Sequence, residues 1–230
     1  MAEERTEDRM GKMMGGILSI VMMVYMFQML QSILGRFAYG APRGAITVSD
    51  NFDDNSLNTT IWETLVYGGS ISEENQKIKF NLTTSSGRGC LKTKSKYDIS
   101  RGATLYCDLT LGDLLTISLD LCTNVPTDLY EEPDEYYRLA ISSDNVFRVW
   151  RKRAGEEAGS LVYNIGGQPT SLRAKIIFSG NTIKFYWGEV LMYEETYVLS
   201  SKEHYTTIRT WASAENTGSA YADNFCLSVS

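Results

Sequence analysis

The side chains able to act on another molecule lie scattered along this 230-residue chain. His204 is the only histidine, set in the polar run Ser200-Ser201-Lys202-Glu203, with no serine or cysteine partner in view. A serine or cysteine nucleophile needs a base within hydrogen-bond reach, so hydrolysis of that kind has little support. Glu131, Glu132, Asp134 and Glu135 form an acidic run, but Pro133 interrupts it, and proline fits poorly in a central strand. A solvated loop is expected there. Arg148, Arg151, Lys152 and Arg153 could hold a phosphate or an acidic sugar; opposite Glu156 and Glu157 they read instead as a solvated hairpin tip. Of the four cysteines, Cys107 reads as a buried thiol, and at most one bridge is expected among Cys90, Cys122 and Cys226. A net charge of −6 argues against a generic nucleic-acid partner.

The elements that must position these residues fall into two blocks. Residues 13–35 run for 23 positions without a charge, between Lys12 and Arg36. A membrane-spanning helix needs about 20 mostly apolar residues to cross roughly 30 Å of hydrocarbon. Eight of the nine methionines lie at or before Met29, so two physical environments share the chain. Three readings compete for this segment. Ala38-Tyr39-Gly40 before Ala41 has the small-x-small form of a signal cleavage site, yet the apolar run is long and the leading tail carries Glu3, Glu4, Glu7 and Asp8. A helix buried in a soluble assembly is the second reading, since Gln28, Gln31 and Ser32 share one face; in lipid that face would prefer another helix, which suggests a homo-oligomer. A single-pass anchor accounts for most of the features. Arg5, Arg9 and Lys12 outnumber Arg36 and Arg43, which places the N-terminus inside and the remainder outside. The expected division is a charged tail over 1–12, a hydrophobic helix over 13–35, a linker over 36–44 and a domain over 45–230.

Beyond Ala45 the apolar period is two. Ile78, Phe80 and Leu82 alternate with Lys77, Lys79 and Asn81. Leu105, Cys107, Leu109 and Leu111 share one face, and Leu115, Ile117, Leu119 and Leu121 form its match after the Gly112-Asp113 turn. Further strands are expected at 46–49, 61–65, 90–93, 137–141, 146–150, 159–165, 172–178, 183–187, 190–193, 206–211 and 225–229. A dozen short strands without a convincing helix predict a mainly β, two-sheet antiparallel sandwich or jelly roll behind one N-terminal hydrophobic α-helix.

Three stretches give this pattern a resemblance. Asp50-Asn51-Phe52-Asp53-Asp54 leading to Trp62, the apolar strand Asn181–Trp187 followed by Gly188, and Ala222-Asp223-Asn224-Phe225-Cys226-Leu227 at the close resemble the concanavalin A-like lectin/glucanase jelly roll, which includes laminin G-like modules. The resemblance covers about residues 45–230 and implies that topology. One fold of this kind hosts lectins, hydrolases and structural modules. Its laminarinase-like glycosidases carry Glu-x-Asp-x-x-Glu; here Glu132-Pro133-Asp134-Glu135-Tyr136-Tyr137 ends in tyrosine, so a catalytic pair is incomplete and no enzyme is expected. The resemblance also implies sugar binding on aromatic faces, with Trp150, Trp187 and Trp211 as candidates, and a structural calcium near paired termini, with Asp50 and Asp223 as candidate ligands.

Two functions meet these expectations. One is a helix-anchored surface module, non-catalytic, that binds a glycan or a partner protein. The other is a structural subunit of a virion or filament whose hydrophobic helices self-associate.

Overall fold

The computed structural model describes residues 46–196 and 200–230. The tail, the 13–35 segment with Gln28, Gln31 and Ser32, and the linker lie outside the described residues. No helix among the described residues is long and apolar enough to cross a membrane.

Among the described residues, sixteen strands make two sheets. They are β1 (Ile46–Asp50), β2 (Trp62–Tyr67), β3 (Gly69–Glu74), β4 (Lys77–Leu82), β5 (Arg88–Thr93), β6 (Tyr97–Asp98), β7 (Ala103–Thr110) and β8 (Thr116–Cys122). The second half holds β9 (Tyr136–Ser142), β10 (Phe147–Lys152), β11 (Ser160–Ile165), β12 (Ser171–Ser179), β13 (Thr182–Trp187), β14 (Val190–Thr196), β15 (Glu203–Trp211) and β16 (Gly218–Val229). The first sheet runs β14-β13-β12-β7-β16-β4-β3 with β1 also on β16; the second runs β11-β10-β9-β8-β15-β5-β2 with β6 on β15. Every pairing is antiparallel. This is the expected jelly-roll sandwich, and its two terminal strands pair as Ile46↔Val229 through Asp50↔Phe225.

Alternation builds the core. On β7, Ala103, Leu105, Cys107 and Leu109 are buried while the intervening residues are half-buried. Facing them from the second sheet are Ile117, Leu119 and Leu121, Tyr137, Leu139 and Ile141, and Ile208. Asn75 and Gln76 both take positive φ, 53° and 61°, which gives the β3–β4 hairpin the two-residue turn whose twist matches its strands. β3 has Ile71 as its one apolar residue among serine, glycine and glutamate, so its period was too weak to predict. β16 is twelve residues long, well beyond the expected 225–229. Its register shifts between Asp223 and Cys226, with Asn224 at φ 50°, and this bulge breaks the alternation that would have extended the strand.

Candidate functional site

Three central strands of the second sheet, β8, β9 and β15, are buried on both faces. Their inner residues enter the core. Their outer positions carry Ser118, Asp120 and Cys122 on β8, Tyr136, Arg138 and Ala140 on β9, and Tyr205, Thr207, Arg209 and Trp211 on β15. Register lines these up across the sheet: Trp150, Arg138, Asp120, Thr207, Lys92 and Glu63 form one row, and Arg148, Ala140, Ser118, Arg209 and Cys90 the next.

Within that face, Arg138 Nε donates to Asp120 Oδ2 at 2.9 Å. Ala140 and Ser118 are small, and they leave room for the guanidinium to lie along the sheet. It sits 4.5 Å from the Tyr136 ring centre and 4.8 Å from that of Trp211. Lys92 and Lys96 both approach the Tyr205 ring, at 5.3 and 5.2 Å. Arg209, 4 % exposed, lies against the Cys90 thiol with Asp120 and Cys122 in electrostatic reach. Burial pushes the Cys90 thiol up to about 11, against the pull of Arg209. Ser118 Oγ, Asp120 Oδ1, Thr207 Oγ1 and Arg209 Nη2 are buried without a hydrogen-bond partner among the described residues.

The cover over this face is the 123–135 connection between β8 and β9. At the β2–β5 side, Tyr130 Oη donates to the Ser86 carbonyl at 2.7 Å, and its ring lies 5.8 Å from Tyr67 and 5.0 Å from the Arg88 guanidinium. Toward the other side, Glu132 accepts from Tyr136 Oη at 2.9 Å and from the Gly159 amide at 2.8 Å, just before β11. The connection thus straps the face diagonally. One open corner holds Lys92, Lys96 and Tyr205; the opposite one holds Arg148, Trp150 and Trp211. Aromatic planes beside forked hydrogen-bond donors suit a ligand with both apolar faces and hydroxyl or acid groups.

The structure divides the residues expected from sequence. Trp150 and Trp211 reach the outer face, half-buried. Trp187 does not. It points into the core at 2 % exposure, and its indole N–H donates to the Pro169 carbonyl at 3.0 Å. The acidic run is not a wholly solvated loop: Pro133 and Glu135 are buried, and Ser200 bonds Glu135 through both its amide and its hydroxyl. The basic cluster is split by strand alternation. Arg148 pairs with Asp144 at 2.7 Å on the outer side, whereas Arg151 pairs with Glu195 of β14 at 2.7 Å. All four cysteines are free thiols.

Asp50 and Asp223 line separate depressions on the first sheet, of about 390 and 260 Å³. Arg173 borders both and is bonded to Asp108 at 2.7 and 2.9 Å. Asp50 accepts from the Trp62 indole at 2.9 Å and the Phe52 amide at 3.0 Å, so both its oxygens serve the fold. Burial raises the pKa of Asp223. Its oxygen Oδ1 takes the Asn224 amide, at 2.7 Å. The two aspartates form no common donor set, and no three His, Cys, Asp or Glu among the described residues converge as metal ligands.

Asp120, Arg138 and Arg209 were missed from sequence because a lone polar residue inside an alternating strand reads as solvent-facing. Only pairing β8, β9 and β15 brings them onto one face.

No family model matches the sequence, and no curated protein is significantly similar to it. Solved structures are similar in fold. The potassium-bound carbohydrate recognition domain of Emp46p matches at TM-score 0.62 and 11 % identity, over 78 % of this chain and 95 % of that one. A Bacillus licheniformis beta-glucanase matches at 0.58 and 13 %, over 80 % and 98 %. The carbohydrate-binding module CBM66 from Bacillus subtilis matches at 0.52 and 14 %, over 73 % and 95 %. The domain therefore has the lectin/glucanase jelly-roll fold.

Proposed function

We propose that residues 45–230 form a non-catalytic glycan-binding module held at a membrane by residues 13–35, with the domain outside. One observation carries the reading: Trp150 and Trp211, both half-buried, share a single face with Arg138 and Arg148. Their rings offer stacking surfaces for a sugar, and the part-exposed Arg148 guanidinium on the same strand as Trp150 offers directed hydrogen bonds to its hydroxyls. Structural neighbours that are carbohydrate recognition domains and binding modules support this choice for the fold. Against catalysis stands the commitment of the nearby carboxylates. Asp120 is engaged by Arg138, and both oxygens of Glu132 are taken by Tyr136 and Gly159. A glycosidase needs two carboxyl groups placed for acid and nucleophile work.

The test uses the full chain in mild detergent on a glycan array. Binding to at least one glycan class is expected, with Trp150→Ala/Trp211→Ala weakening it about tenfold, the effect of roughly 1.4 kcal/mol. A folded protein that retains no glycan overturns the binding reading. Release of reducing ends from an array ligand overturns the non-catalytic one. Extraction of the full chain from membranes by alkaline carbonate overturns the anchor.

A further inference from the structure

Several cations on the outer face of the second sheet lack an ion-pair partner. Lys92 pairs with Glu63 at 3.1 Å, Arg138 with Asp120 at 2.9 Å and Arg148 with Asp144 at 2.7 Å. Arg88, Lys96, Lys152 and Arg209 have no carboxylate within ion-pair distance among the described residues. Arg209 is the telling member. It is 4 % exposed, it cannot be deprotonated, and its Nη2 has no hydrogen-bond partner. Asp120 lies in its electrostatic reach but is bonded to Arg138, so the free guanidinium donor is left for a further anion.

Beside Arg209 lies the corner that the 123–135 strap leaves open. Thr207, two residues along β15, pairs with Lys92, and Tyr205 follows on the same face with Lys92 and Lys96 over its ring. We infer that the corner formed by Lys92, Lys96, Tyr205 and Arg209 binds the acid group of an anionic sugar, a uronate carboxylate or a sulfate ester. The Tyr205 ring supplies the apolar surface, the lysines supply point charges at the rim, and the guanidinium supplies the directed donor below. This rests on the glycan-binding reading and names its ligand class.

The test compares three probes of one linkage with the full chain in mild detergent: an oligogalacturonide, its carboxyl-reduced form and a 6-sulfated form of the reduced chain. Preference of tenfold or more for either acidic probe is expected, falling as salt rises. The carboxylate and sulfate arms tell the two acid sources apart. Lys96→Glu, at an exposed position, should abolish the preference; Arg209→Met should do the same and Arg209→Lys should keep part of it. Equal binding of all three probes, or of the reduced form alone, overturns the inference and leaves the glycan reading standing. An acidic preference unchanged in Lys96→Glu and in folded Arg209→Met also overturns it. Failure to bind these probes and every glycan of the array overturns both.

Discussion

Arg138 and Asp120 stand directly opposite each other on β9 and β8, and the guanidinium Nε meets the carboxylate at 2.9 Å in a site where Asp120 has no exposed surface. Breaking such a pair on one side leaves a buried charge uncompensated, at a cost of about 3–5 kcal/mol. Asp120→Ala should lower stability by that order. Arg138→Met keeps an unbranched chain between the Tyr136 and Trp211 rings, and its cost should be smaller. Urea midpoints of both variants and of the double variant give the comparison; an Asp120→Ala loss under about 1 kcal/mol would mean that water reaches the pair.

A second buried contact explains why the acidic-aromatic opening of the domain matters. Asp50 takes the Trp62 indole N–H, and Trp62 packs 4.7 Å from Phe225, the register partner of Asp50. One aspartate thus ties the first strand, the second strand and the last. Asp50→Ala strands a buried indole donor and the Phe52 amide, with an expected loss of about 1–3 kcal/mol. Trp62→Phe together with Asp50→Ala removes donor and acceptor at once, so the pair should cost less than the sum of the singles. Thermal unfolding of the three variants decides this. Strict additivity would show that the bond contributes nothing.

Strand period carried most of the architecture in the sequence, because core and surface alternate cleanly along β4, β7, β12 and β13. It failed where alternation was weak or interrupted: β3, with Ile71 alone, and β16, with its bulge after Asp223. The site was harder to read. Trp150, Trp187 and Trp211 look identical in sequence as strand tryptophans, yet Trp187 sits on the core side of β13 while the other two are half-buried on the outer face. Asp120, Arg138 and Arg209 lie far apart in the chain, and strand order, invisible locally, is what joins them. Glu132 was read as loop charge; its role in pinning the strap depends on Gly159, 27 residues away.

Gly159 is the place to loosen that strap. A Cβ there would stand 1.9 Å from Tyr136 Oη and 3.2 Å from Glu132 Oε1, and Tyr136 is fully buried with nowhere to retreat. Gly159→Ala should therefore break the Tyr136–Glu132 bond and lift the 123–135 connection. Faster proteolytic cleavage within 124–134 is expected, and Tyr136→Phe in the same chain, by deleting the clashing hydroxyl, should restore part of the resistance. Cleavage unchanged in Gly159→Ala would mean that the strap is held elsewhere, at Tyr130.

The last prediction concerns acid. His204 is fully buried opposite Tyr97, with the Lys202 backbone beside its ring. Burial lowers its pKa; the Glu135 carboxylate and the Lys202 backbone pull it back up, and Lys96 pushes it down. The folded protein therefore takes up a proton less readily than the unfolded chain, whose histidine titrates near about 6.5. The stabilisation by neutral His204 is complete above that value and declines as pH falls from about 6.5 toward the lowered folded pKa. Asp98 and Asp144, held below the usual carboxylate range by Ser100 and Ser142, act only at lower pH. Glu73 works in the opposite sense, because burial raises its pKa and protonating it favours the folded state. Urea midpoints at pH 7.5 and 5.5 should fall for the wild type and fall less for His204→Leu. An equal drop in both proteins would assign the acid sensitivity to some group other than His204.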